Sequence, residues 1–298
     1  MSTEPTWFHR RGMLPRDGWE TVVDASTPGW AHTGLRVARF DGAEFVLEAE
    51  LVERIVVPLE GDVLIALHGS ELLHLTGRAS VFDGPSDVAY LPVGTAAVLS
   101  GTGRVAIAEA PATRHLDVQI VRAGETPVEL RGAGTSSRQV HNFGTPGALN
   151  AEKLIVCEVI TPAGNWSSYP PHKHDEVIPE VESRLEEIYY FESAPTRGAI
   201  GVATGADPFG VFATYRSNAG EISITEVVRT GDVALVPFGY HGPAIAAPGY
   251  DLYYLNVMAG PGYERAWRIT DDPAHAWIRN SWASQQPDPR LPYLRTKG

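Results

Sequence analysis

The chain holds one cysteine in 298 residues, so no internal disulfide can form. Cys157 lies in the apolar run Leu154-Ile155-Val156-Cys157 and reads as a buried structural thiol rather than a nucleophile. Long apolar runs are absent too: none approaches the roughly 18 residues of a membrane-spanning helix, so no membrane partner is expected. Clusters of basic residues are also missing, with 24 Lys and Arg against 36 Asp and Glu and a formal net charge of −12. A sequence-independent grip on phosphate backbones needs such clusters, so nucleic acid is not an expected partner either. The stretch Met1-Ser2-Thr3-Glu4-Pro5-Thr6-Trp7 has no basic start leading into an apolar segment, and a cytoplasmic protein is the expectation.

Glycine (30) and proline (23) are plentiful, and they fall between short apolar runs such as Val63-Leu64-Ile65-Ala66-Leu67, Ile188-Tyr189-Tyr190-Phe191, Val233-Ala234-Leu235-Val236 and Leu252-Tyr253-Tyr254-Leu255. Runs rich in Val, Ile, Leu and Tyr, punctuated by turn formers, are strands. The expected class is mainly β, as sandwiches or barrels. A Gly-, Ser- and Thr-rich stretch from about Ala123 to Asn150 suggests a connection, and the domains are placed at 1–135 and 136–298. The halves echo one another: Asp87-Val88-Ala89-Tyr90-Leu91-Pro92-Val93-Gly94 matches Asp232-Val233-Ala234-Leu235-Val236-Pro237-Phe238-Gly239, and Glu53-Arg54-Ile55 matches Glu186-Glu187-Ile188. Such self-similarity points to an internal duplication.

The histidines carry the chemistry. In Tyr169-Pro170-Pro171-His172-Lys173-His174-Asp175 the prolines keep the segment extended, so His172 and His174 project to one face and can reach one metal ion. A glycine turn, a strand and a Pro-x-Gly turn lead to His241, and Glu187 opens the strand between these motifs. His172, His174, Glu187 and His241 form a mixed N and O donor set with positions left open for substrate or water. Glu186, Glu182 and Glu176 stay open as alternatives for the carboxylate. The amino-terminal half lacks His-x-His, and Pro92-Val93-Gly94 is followed by Thr95, so no metal is expected there. His9, His32, His68, His74 and His275 lack partners at ligand spacing.

On these motifs the sequence resembles the cupin superfamily, which implies a tandem cupin of two β-sandwich or barrel domains. The spacing departs from the common cupin pattern, with twelve residues between His174 and Glu187. The block Trp166–Asp175, together with Leu185–Tyr190, Gly239-Tyr240-His241 and Tyr253–Gly260, resembles the 5-deoxyglucuronate isomerases of myo-inositol breakdown, relatives of the 4-deoxy-L-threo-5-hexosulose-uronate ketol-isomerases. Gly242 departs from that family's pattern, standing where a proline usually follows the last histidine. The resemblance implies a metal-dependent aldose–ketose isomerase converting 5-deoxy-D-glucuronate to 5-dehydro-2-deoxy-D-gluconate. Its metal would be one divalent ion, zinc first, with manganese or iron as alternatives. A cupin dioxygenase and a non-catalytic sugar-binding cupin are the competing readings.

Moving a carbonyl from C1 to C2 needs stabilised charge on two oxygens and a proton shuttle. Tyr189, on the same strand face as Glu187, is the first candidate, with Tyr254 and Lys153 beside it. Arg138, Arg184 and Tyr169 are the candidates for holding a sugar-acid substrate. Lys173, between the two histidines, should point away from the metal, and the acidic stretch around Glu176, Glu180 and Glu182 reads as solvated surface, as does Asp271-Asp272. Cupin sheet edges often pair between subunits, so a homo-oligomer is expected.

Overall fold

A computed structural model describes residues 6–67 and 72–294; His68 lies outside the described residues. Strands build it, and the α-helix Ile278–Ser281 is a single turn. Among the described residues no helix is long and apolar enough to cross a membrane. The strands form sheets of seven, nine and six members, paired antiparallel throughout.

The seven-stranded sheet sets the carboxy-terminal site. The strand Glu186–Pro195 pairs with Val233–Val236 on one side and the central Tyr250–Ala259 on the other, followed by Ile155–Thr161, Arg138–Gly144 and Val128–Arg131. Side chains alternate across a strand, so the two faces of Glu186–Pro195 have different surroundings. Tyr189 and Phe191 face a barrel interior with Phe212, Tyr254 and Met258. Ile188 and Tyr190 face a second core, built jointly with Val23, Leu35, Ile55 and Val57 of the other half. The six-stranded sheet closes the barrel, and in it His172 pairs directly with His241.

The amino-terminal barrel is filled. Trp19, Phe40, Phe45, Leu47, Leu75 and Leu99 pack its interior, around the long strand Val52–Leu67. The sequence echo reappears as hydrogen-bond register: Arg54, Ile55 and Val56 pair with Leu91, Tyr90 and Ala89, as Glu187, Ile188 and Tyr189 pair with Val236, Leu235 and Ala234. Arg54 therefore occupies the place that Glu187 holds in the second half. Its guanidinium is buried against Glu109, Nε to Oε1 2.8 Å, so an ion pair stands where the other barrel has its histidine-bound carboxylate.

The two halves share strands and charges. Phe8–His9 pairs with Val233 and Ala234, inside the carboxy-terminal sheet. Val128–Arg131, on the amino-terminal side of position 135, also pairs in that sheet. Arg78 of the first half grips Glu158 of the second through two bonds of 2.6 Å, and Glu158 also accepts from His141 and from Tyr253. Burial opposes the charge on Glu158, but Arg78 outweighs it and holds the carboxyl at about 2.

Candidate active site

The extended segment Tyr169–Asp175, with its short strand His172–Lys173, and the strand Tyr240–Ala246 bring three imidazoles together. The His172 and His241 rings lie 4.5 Å apart, and those of His174 and His241 4.6 Å. Each histidine turns Nδ1 to a backbone carbonyl: His172 to Pro170 at 3.3 Å, His174 to Leu185 at 3.1 Å and His241 to Gly239 at 3.1 Å. A carbonyl only accepts, so each Nδ1 donates to the backbone and Nε2 is the ring nitrogen left to meet another partner. Glu187 Oε2 sits 3.0 Å from His174 Nε2 and 3.1 Å from His241 Nε2.

His174, Glu187 and His241 each offer a ligand atom within 4.8 Å of the others, and all three are buried. His241 Nε2 is buried with no hydrogen-bond partner despite its closeness to Glu187. At His172, burial and then the neighbouring His241 and His174 hold the pKa well below the ordinary value, so its ring is neutral. At Glu187 burial opposes ionisation, but the His174 and His241 contacts prevail and keep the carboxyl ionised. Three imidazoles that rest Nδ1 on carbonyls and gather, with Nε2 of His174 and His241 turned toward one ionised carboxylate, are a donor set that fits a divalent cation.

The alternative carboxylates are occupied elsewhere. Glu186, one residue along the strand and so on the opposite face, accepts from the amides of Ala31 and His32. Glu182 is buried rather than solvated, because Lys173 points away from the histidines into a pocket of carboxylates, with Nζ 2.8 Å from Asp175, 2.5 Å from Glu176 and 2.9 Å from Glu182. Glu182 also accepts from the amides of Asp175 and Glu176, and so ties down the long connection between His174 and Glu187.

A cavity of about 180 Å³ opens beside the histidines, lined by His172, Glu187, Tyr189, Tyr254, Ser168 and Asn256 and walled by Arg131, Arg138, Arg279 and Trp267. Tyr189 and Tyr254 are buried, and burial first of all raises both phenols above their usual range, so each keeps its proton. Arg131 and Arg138 are direct cross-strand neighbours, an arrangement that like charges disfavour. Arg131 is relieved by Glu129, and Arg279 by Asp271, which is therefore a structural partner rather than solvated surface. Among the described residues no carboxylate bonds Arg138: it donates to the Ser136 carbonyl at 3.0 Å and lies over the Trp282 ring. Burial, with Arg131 and Arg279 nearby, lowers it to about 10.

Three of the residues expected at the site lie elsewhere. Lys153 donates to the Gly262 carbonyl at 2.8 Å, beside Tyr263, in a separate groove that Arg184 also lines. Arg184 lies ahead of the strand Glu186–Pro195, in irregular chain that runs past that groove rather than the histidine cavity. Tyr169 packs edge-on to Trp166, with ring centroids 5.4 Å apart, outside the cavity wall. Arg131, Arg279, Trp267, Asn256 and Ser168 were not anticipated. A signal existed for Arg131 alone, since a hairpin centred on Gly132–Ser137 sets it opposite Arg138.

Residues 8–278 match the KduI/IolB family. The chain belongs to that family. A relative in Geobacillus thermodenitrificans, named 5-deoxy-glucuronate isomerase, is 37% identical over 263 residues, 87% of this chain and 90% of its own. Among solved structures, an IolB-like protein from Salmonella typhimurium LT2 superposes with a TM-score of 0.80 at 32% identity, covering 92% of this chain and 99% of that one. Oxalate decarboxylase of Bacillus subtilis, described with Mn(II) centres, shares the tandem cupin fold at a TM-score of 0.58 and 10% identity, over 91% of this chain and 80% of that one. In this KduI/IolB member the histidines, Glu187 and the arginine wall therefore sit in the second of two cupin barrels.

Proposed function

We propose that the protein is an aldose–ketose isomerase acting on 5-deoxyglucuronate, yielding 5-dehydro-2-deoxygluconate, with one divalent ion held by His172, His174, Glu187 and His241. The observation that carries the reading is Arg138: a buried guanidinium without a carboxylate, in the same cavity as the histidines. A buried charge left unpaired is costly, and a substrate carboxylate repays that cost. A neutral sugar would leave it unpaid. The named relatives agree with a sugar acid as substrate.

When bound, the ion supplies a fixed positive charge for the two substrate oxygens on which negative charge develops, with zinc the first choice and manganese or iron chemically acceptable. Arg138 anchors the carboxylate end and so orients the chain of the sugar toward the histidines. Tyr189 and Tyr254, still protonated, hold protons at their phenol oxygens beside the reacting carbons. Trp267 and the barrel wall keep bulk water away from the cavity.

The test is to incubate protein reconstituted with zinc and 5-deoxyglucuronate under nitrogen and follow the aldehyde signal by NMR. A ketone of unchanged mass is expected. A product made only with iron and air, heavier by oxygen, refutes the isomerase reading in favour of a dioxygenase, and no turnover with any of the three metals refutes it in favour of a sugar-binding protein.

A further inference from the structure

Ser168 adopts a left-handed backbone, φ 44°, which a serine reaches only at a cost. It is buried and lines the cavity. Its hydroxyl lies 3.0 Å from that of Tyr189, and Ser167 and Ser168 both face the phenol of Tyr254. The neighbouring strand has made room for this conformation. A Cβ built at Gly242 would fall 1.8 Å from the Ser168 carbonyl oxygen, and Gly242 itself has φ 92°. Gly242, the residue that departs from the related family pattern, is thus the one that admits the Ser168 backbone beside His241.

We propose that Ser168 is a catalytic residue of the isomerisation, its hydroxyl contacting the reacting oxygens of the sugar and exchanging protons with Tyr189; this rests on the isomerase reading above. The carbonyl shift removes a proton from O2 and adds one to O1, apart from the proton moved between the carbons. Two hydrogen-bonded hydroxyls can balance that exchange. Ser168 gives its proton to O1 and takes one from Tyr189, and Tyr189 recovers one from O2. No proton is gained or lost over the cycle, and neither side chain needs to be ionised at rest. A left-handed serine is what places Oγ toward the cavity while its carbonyl packs on Gly242.

The experiment compares Ser168→Gly and Ser168→Ala with the wild-type protein for kcat, KM, metal content and melting temperature. Glycine relaxes the left-handed backbone, so the fold of the Gly variant should be at least as stable as wild type. The expected result is a loss of about 100-fold in kcat for both variants, with KM and bound metal little changed. Wild-type kcat in Ser168→Gly overturns the catalytic role, as does a loss that tracks lost metal or lost thermal stability. A wild-type protein that leaves 5-deoxyglucuronate untouched overturns the isomerase reading itself, and this role with it.

Discussion

Replacing Arg138 with methionine should make the protein more stable and much less active. A guanidinium normally titrates at about 12.5 or higher. Burial, together with Arg131 and Arg279, brings Arg138 down to about 10, which corresponds to about 3 kcal/mol of uncompensated charge burial in the ligand-free protein. Methionine keeps the apolar stem but not the full volume, and the small void left behind costs about 1 kcal/mol. The net gain is about 2 kcal/mol, or roughly 3 °C in melting temperature for a chain of this size. Against that, a carboxylate held by charged hydrogen bonds loses about 3 kcal/mol, near 100-fold in kcat/KM. Thermal unfolding without substrate and steady-state kinetics read the two effects separately. Arg131→Met is the comparison: it removes a like charge beside Arg138 and leaves a half-exposed Glu129 without its partner, so it should raise the melting temperature less than Arg138→Met does. An Arg138→Met protein that is less stable than wild type and turns over the sugar acid normally would refute the reasoning, because Arg138 would then be a structural cation.

Three further outcomes can be checked. Glu158→Gln leaves Arg78 buried and poorly paired and should cost about 3–5 kcal/mol in chemical denaturation. The carboxyl of Glu158 is depressed to about 2, so its contribution is complete above the ordinary value of 4.5 and fades as pH falls toward 2; the variant should show a flatter stability profile across that window. Elemental analysis should find one divalent metal per chain in wild-type protein and well under one in the double variant His174→Ala, His241→Ala, with the β core still folded. Gly242→Ala forces a Cβ against the Ser168 carbonyl and should lose about 2 kcal/mol, seen as a lower melting temperature.

What the sequence discloses follows from how local each feature is. His172 and His174 are two apart on a segment that proline keeps extended, and Glu187 and Tyr189 are two apart on a strand, so alternation alone puts each pair on one face. The repeated Asp-apolar-Pro-x-Gly passages reappear as matching register in both barrels for the same reason. The arginine wall was less legible. Arg279, Trp267 and Asn256 come from segments far along the chain, and only the closed barrel brings them to Arg138. Gly132–Ser137 illustrates a different limit: a run of glycine and serine marks a turn in either case, and composition does not say whether the flanking strands pair, as Val128–Arg131 and Arg138–Gly144 do. Lys153 is only some twenty residues before His172, yet its ammonium reaches the Gly262 carbonyl instead of the histidines, because an extended chain carries residues away from a motif quickly.

The pairing of Phe8–His9 with Ala234 and Val233 has a consequence for how the chain is born. About 225 residues separate the two partners, and at ordinary rates of synthesis their meeting is delayed by roughly 10–45 s. Through that interval the early segment lacks its strand partner, with Trp7 against Trp30 its contact to the first half, while the first barrel can already close on its own aromatic core. The sheet that carries Glu187 is completed only when the much earlier Phe8–His9 returns to it. A ribosome-bound intermediate stalled before Val233 should therefore hold a folded first barrel and an amino-terminal segment still open to proteolysis, and release past Val236 should protect it.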